Sequence, residues 1–340
     1  MKSKTGILLI QLGTPDSPSV GDVRTYLSEF LNDARVIDIP WLLRKILVNL
    51  IIVPFRAPKS AKIYKAVWDD KGSPLLYHTE SLTEKLQQSL GDEYKVHMAM
   101  RYKNPSMDKV MEEMRKEHYG RIVVFPLFPQ YASATNGSAV EKAMRIMAKW
   151  YLLPEIHFVS QFFQHEGYLN SIVEQAKKYN FDDYNHILFS YHGLPERQVD
   201  KVYEDGECKD HDCHLELTPE NEYCYKATCY ATTRLLAKKM DIPEENYTVC
   251  FQSRLDKKWL EPFSDKVVIE QAKKGAKKLL VFSPAFVADC LETLIEIGDE
   301  YQEIFEEHGG EKVQLVESLN DHPMWVEAVK DIVLKQLGEK

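Results

Sequence analysis

The chain has 340 residues, 44% hydrophobic and 28% charged, with 43 Lys+Arg against 52 Asp+Glu and a formal net charge of -9. This length suits two domains of ordinary size, and the composition is that of a globular protein. The acidic balance argues against a nucleic-acid groove, which needs a basic face.

Met1-Lys2-Ser3-Lys4 leads straight into an apolar run, so no cleavable signal is expected and the expected location is cytoplasmic. "GILLIQLGTP" (Gly6 to Pro15) reads as a strand and a Gly/Pro turn. The longest apolar stretch, Trp41 to Phe55, is shorter than the ~20 residues of a spanning helix and is broken by Arg44 and Lys45. It reads either as a half-buried helix or as an apolar lip over a large flat ligand, in contact with a membrane surface. "KVHMAMRYKNP" is then a strand ending in an arginine, "MDKVMEEMRKEHYG" a helix, and "RIVVFPLFPQYASATNGSA" a third strand with a Pro-rich turn.

The second half answers in the same order: "HILFSYHGLPERQ", "YTVCFQSRLDKKWLEP", the helix "SDKVVIEQAKKGA", and "KLLVFSPAFVADC". Strands alternating with helices predict an α/β protein of two Rossmann-like domains with parallel sheets, related by an internal pseudo-repeat. Near-continuous apolar strands agree with sheets covered on both faces. Neither half has a G-x-G-x-x-G loop, which argues against a dinucleotide. The expected division is 1–160, 161–320 with an insert at about 206–230, and a final helix, 321–340, packing back on the first half. The boundary is expected near Tyr151 to Gly167, where Pro154 and the run Gln161 to Gly167 break the pattern. Corresponding strand ends are expected to converge on an interdomain cleft.

His192 ends the first strand of the second half, before Gly193 and Pro195. Ligands bind at the carboxyl ends of strands in such sheets. After the third strand, Glu292, Glu296 and Glu300 stand at i, i+4, i+8, on nearly one face of a helix. A row of hard oxygen ligands suits a divalent cation. Gly298 within it is a place for a local bulge. A neutral imidazole facing a carboxylate suits proton removal or metal ligation.

Cys208, Cys213, Cys224 and Cys229 form C-x4-C-x10-C-x4-C. Four thiolates before a helix suit an iron–sulfur cluster or, as the alternative, zinc. A disulfide framework is disfavoured by compartment. His211 and His214 are read as solvated neighbours, and Cys250 as a core thiol.

These residues carry a family resemblance. "LGTP", "FLNDARVIDIP", "GSPL", "MRYKNP", "FPLFPQYASATNGSA", "SYHGLPER", "FQSR" and "FVADCLETLIEIGDEY" follow one another from about residue 6 to 325, and the chain resembles the ferrochelatases. The resemblance implies insertion of Fe2+ into a porphyrin to make haem, with loss of two protons. It implies His192 and Glu292 as catalytic residues and ligands of the substrate iron, with Glu296 and Glu300 as the acidic path beyond. It implies a [2Fe–2S] cluster on the four cysteines, as in some bacterial members. Where the family usually has a histidine two residues before the glutamate, this chain has Cys290. Leu12 stands where coproporphyrin-specific members tend to carry tyrosine, which leans toward protoporphyrin IX.

The apolar faces of a macrocycle suit Leu12 and Tyr131. Its propionates need cationic or hydrogen-bonding partners, for which Arg35, Arg101 and Ser133 are candidates. An iron-donor protein and peripheral contact with the inner membrane face complete the expected partners. The competing readings are a coproporphyrin III ferrochelatase, a non-catalytic haem or metal carrier on the same scaffold, and a cobalt-inserting chelatase.

Overall fold

A computed structural model describes residues 4–339. The chain divides into two compact units, one formed by residues 1–128, 132–162 and 320–340 and the other by 129–131 and 163–319.

In the first unit, β1 (Thr5–Gly13), β2 (Tyr94–Tyr102), β3 (Arg121–Pro126) and β4 (Glu155–Phe158) form a parallel sheet in the order β2-β1-β3-β4. Ile7 to Ile10 of the central β1 are fully buried. One face carries Met107, Met111 and Met114 of the helix Met107–Lys116, with Ala139, Ala143 and Met147 of the helix Ser138–Met147. The helices Val20–Leu31 and Val53–Val67 share a separate cluster around Val23, Leu27, Ala57 and Ala61. The C-terminal helix Pro323–Gln336 belongs to this unit, where Lys85 and Ser81 both reach Asp321 just before it.

The second unit repeats the plan. Here β5 (His186–His192), β6 (Tyr247–Gln252), β7 (Lys278–Phe282) and β8 (Lys312–Leu315) form a parallel sheet in the order β6-β5-β7-β8. Leu188 and Val281 face a cluster with Val268 and Phe305. Phe189 and Phe282 stack at 5.1 Å between neighbouring strands. The expected three strands per half are found, each extended by a short edge strand, β4 and β8, that the sequence pattern does not announce.

The duplication reaches single residues. Gly13 pairs with Tyr102 at the ends of β1 and β2, and His192 with Gln252 at the ends of β5 and β6. Each sheet has a glycine against its neighbour's last carbonyl: an added Cβ would stand 2.1 Å from the Tyr102 oxygen at Gly13, or 2.8 Å from the Gln252 oxygen at Gly193. Gly13 also has φ +121, where a side chain is strained.

Trp41 to Phe55 forms a helix, a π-helix over Leu47–Ile52, and the start of Val53–Val67. Arg44 turns inward and donates to the carbonyls of Ile37 and Ile39, so it does not interrupt the apolar surface. Trp41, Leu42, Leu43, Ile46, Leu50, Ile51 and Phe55 stay exposed. Among the described residues no helix is long and apolar enough to cross a membrane.

Candidate active site

In the second unit His192 ends β5, half-buried, with Trp259 and Phe286 rings 6.4 Å from its own. Its Nδ1 lies 2.6 Å from the Gly193 carbonyl. A carbonyl can only accept, so Nδ1 carries a proton, and in the neutral imidazole the lone pair is on Nε2. Nε2 is the nitrogen not engaged by the Gly193 carbonyl.

The acidic row departs from an ordinary α-helix. Glu292–Glu300 is a π-helix throughout, closed by the Tyr301 N–H bonding to the Glu296 carbonyl five residues back. The local bulge expected at Gly298 therefore spans the whole row, consistent with the tendency of π turns to fall at functional sites. Glu292 and Glu296 are half-buried and Glu300 is exposed. Burial, then the charges of Glu296, Glu303 and Asp299, raise the Glu300 carboxyl above its ordinary range.

Glu296 is the most engaged of the three. One oxygen accepts from the Ser253 backbone N–H at 2.6 Å and the Tyr301 hydroxyl at 3.1 Å. The other accepts from the Ser253 hydroxyl and from Gln252 Nε2 at 3.2 Å. Gln252 Nε2 also donates to the Glu292 carbonyl at 2.9 Å. Since Gln252 pairs in register with His192, one buried amide joins the histidine's strand to the carboxylates' helix. Cys290 sits just before this helix. Its backbone N–H and carbonyl both bond to the Thr293 hydroxyl. Burial, then the Glu292 charge, hold its thiol well above the ordinary range, so it stays protonated.

The cysteine segment resolves into three plus one. Sγ of Cys208, Cys213 and Cys224 lie 3.6, 3.7 and 3.8 Å from one another, all buried. Metal–sulfur bonds of ~2.3 Å in a tetrahedron place sulfurs about 3.8 Å apart, so the trio has the spacing of a metal site. Hydrogen bonding among the thiols, then burial, pushes Cys208 far up, while the same bonds bring Cys224 down to about 3. Such a trio cannot shed all its protons without a cation to offset the charge. Cys229 does not join this group. It lies in the first turns of the helix Tyr225–Lys239, fully buried beside Tyr225. His211 stacks on Tyr203 at 4.0 Å, and the Tyr203 hydroxyl lies 2.8 Å from Cys213 Sγ. His214 is exposed, and Cys250 is a core thiol of β6.

In the first unit the two arginines expected to meet propionates already have acidic partners. Arg101 bonds Asp33 at 2.5 Å and Ser138 Oγ at 2.7 Å. Arg35 pairs with Glu141 and donates to Ser133 at 2.8 Å. Leu12 packs against the cluster of the helices Val20–Leu31 and Val53–Val67. Tyr131, assigned to the second unit, meets Tyr223 edge-on at 5.6 Å.

Comparison with known proteins gives the chemistry its frame. The family model described as Ferrochelatase matches residues 4–337. The ferrochelatase of Legionella pneumophila (strain Paris) is 45% identical over 98% of this chain and all of its own length. That of Coxiella burnetii (strain Dugway 5J108-111) is 43% identical over 98% of this chain and 94% of its own. The chain belongs to the ferrochelatase family. It is thus an enzyme of haem biosynthesis, a lyase. Among solved structures, SirB from Bacillus subtilis with Fe3+ aligns with a TM-score of 0.57 at 13% identity, over 98% of this chain and 95% of that one, a likeness of fold.

Sequence reasoning missed Gln252 and Ser253 as partners of the ferrochelatase acidic row. The signal was present in "FQSR", quoted for the family but not read for its hydrogen bonds. It also missed Asp33, within "FLNDAR", which accepts from Arg101, from the hydroxyls of Tyr102 and Ser138, and from the Arg35 backbone N–H. Burial alone would raise this carboxyl, but the Ser138 and Arg35 bonds and the Arg101 charge bring it below its ordinary value.

A depressed folded pKa means stability that is present above the unfolded value and lost as pH falls through the folded one. Asp33→Asn leaves the half-buried Arg101 without its acidic partner and is expected to cost ~1–3 kcal/mol at neutral pH. Urea unfolding checks this. The gap from the parent should narrow below pH 3.8, the ordinary Asp value, as the parent's own carboxyl protonates; a gap constant with pH would contradict the assignment.

Proposed function

We propose that the chain inserts Fe2+ into protoporphyrin IX to form protohaem, with release of two protons. The observation that carries this reading is that Gln252, the register partner of His192, donates to the carbonyl of Glu292. A free-base porphyrin carries two inward N–H protons, and iron cannot bind the ring nitrogens until both leave. His192 and Glu292 are the acceptors, and Glu300, Glu296 and Glu292 form a row from solvent to half-buried positions that a hydrated cation can follow. Proton transfer by placed side chains contributes ~10²–10⁴-fold in rate.

Leu12, Arg35, Arg101, Tyr131 and Ser133 are the proposed porphyrin-binding residues, and Leu12 favours protoporphyrin over coproporphyrin. The test is anaerobic metallation of each porphyrin with Fe2+, followed by absorbance. His192→Ala and Glu292→Gln are each expected to lower kcat by ~100-fold or more while leaving the unfolding midpoint near the parent's. Faster turnover on coproporphyrin would reverse the substrate assignment, and no metallation of either would leave a carrier.

The buried cysteine trio supports a metal centre, and by the family resemblance we assign the segment a [2Fe–2S] cluster. For this, Cys229, apart from the trio in this structure, would have to turn in as fourth ligand, and the three sulfurs, now spaced as on one metal, would have to spread over two irons. Cys229 lies on the same short segment, five residues after Cys224. When bound, the cluster supplies a one-electron couple; Cys208, Cys213 and Cys224 hold it within the insert. Protein purified without oxygen should be coloured, with iron and sulfide in equal amounts, and Cys213→Ser should bleach it. A colourless protein with stoichiometric zinc would assign zinc to the trio instead.

The exposed apolar residues from Trp41 to Phe55, with Lys45 within the stretch and Arg56 and Lys59 just after it, support peripheral contact with an anionic membrane, at the cytoplasmic face. Leu50→Glu with Phe55→Glu should weaken binding to phosphatidylglycerol vesicles by ~10-fold or more. Equal sedimentation of variant and parent would remove the membrane from the reading.

A further inference from the structure

We propose that Gln252 is a positioning residue for the active site: through one buried amide it fixes the acidic π-helix against the strand end that carries His192. This rests on the reading that His192 and Glu292 accept the protons, and it adds the part that holds them in place.

Gln252 is 1% exposed, and both ends of its amide are used. Oε1 accepts from the Ser190 hydroxyl at 2.8 Å, which in turn meets Ser264 Oγ at 2.9 Å. Nε2 donates to the Glu292 carbonyl at 2.9 Å and to Glu296 at 3.2 Å. Its own backbone carbonyl accepts the Gly193 N–H at 2.7 Å, fixing the turn directly after His192. Only a side chain with a donor and an acceptor at this length can satisfy Ser190 and Glu292 together. A buried amide left without its partners pays its full desolvation cost, so the arrangement holds firmly.

The other half of the chain has a matching device. The register that pairs Gly13 with Tyr102 sets Arg101 opposite Leu12, as Gln252 is opposite His192. Around both positions the surroundings match: Met100 N–H bonds the Pro105 carbonyl at 2.7 Å, and Phe251 N–H bonds the Pro262 carbonyl at 2.8 Å. Arg101 reaches the backbone carbonyl of Ser138, at the end of the π-helix Ser133–Gly137. Gln252 reaches the backbone carbonyl of Glu292, at the start of the π-helix Glu292–Glu300. In each sheet the last residue or the last but one of the second strand ties down the π-helix that follows the third.

Two variants test the tie. Gln252→Met keeps the volume and removes every polar contact; Gln252→Glu keeps the acceptor for Ser190 and removes the donor to Glu292 and Glu296. Both are expected to lower kcat by roughly 10-fold to 100-fold, with KM for porphyrin within about 3-fold of the parent because the macrocycle contacts are untouched. Hydrogen exchange of residues 292–300 should speed up while the helices Met107–Lys116 and Pro323–Gln336 exchange as in the parent. Unchanged kcat in both variants, or a loss spread equally over kcat, KM and exchange throughout the chain, would overturn the proposal. Should the parent itself fail to metallate a porphyrin, the substrate reading falls, and exchange over 292–300 still decides the role of Gln252.

Discussion

Glu296 and the groups around it form the constraint on which the second unit's site depends. A half-buried carboxylate loses hydration and is tolerated only where hydrogen bonds replace it. Ser253, Gln252 and Tyr301 supply four donors. Ser253 reaches it with φ 60, a conformation uncommon outside glycine. The strand end is thus bent to meet the carboxylate, and Tyr301, where α-helical geometry resumes, fixes it from the other side. A regular α-helix and a π-helix aim side chains differently. Holding position 296 to one place on β6 leaves Glu292 and Glu300 to point where the wider helix sends them.

The duplicated plan explains how one scaffold came to hold two different kinds of residue at equivalent positions. Leu12 in the first half and His192 in the second occupy matching strand ends, each followed by a glycine pressed on a neighbouring carbonyl. The close approach is demanded by backbone packing in both, so the glycines are shared. The residue before each glycine is free of that demand. One half places an apolar side chain there, the other a base. The same holds for Arg101 and Gln252: both anchor a π-helix, but the arginine is further neutralised by Asp33, whereas the glutamine adds no charge beside the carboxylates it orients.

The fold could be read from sequence because it leaves a pattern, and so do the two residues proposed as central to the site. Alternating apolar strands and helices gave two parallel sheets. A histidine at a strand end and a spaced row of glutamates mark the site proposed above. The edge strands left no pattern, being only Glu155–Phe158 and Lys312–Leu315. The π-helix was hidden because carboxylates four apart share a face in either helix type. Gln252 was hidden because a glutamine at the end of a strand has no chemistry of its own; its role exists only through partners distant in sequence. The arginines were legible as cations but not as cations already paired. Spacing gathered four cysteines, while the fold separates Cys229 onto the buried side of a helix.

Cys290 is where this chain departs from the usual ferrochelatase histidine, and its surroundings say what the change does. Thr293 brackets its backbone at the start of the π-helix, so position 290 cannot swing away from Glu292. A thiolate there would be a soft ligand beside a row of hard oxygens, and would hold iron or zinc too firmly to pass them on. Burial and the adjacent Glu292 charge keep the group a neutral thiol. A neutral thiol is a weak donor and a poor ligand. Position 290 therefore adds neither a thiolate nor a second imidazole beside the row of carboxylates.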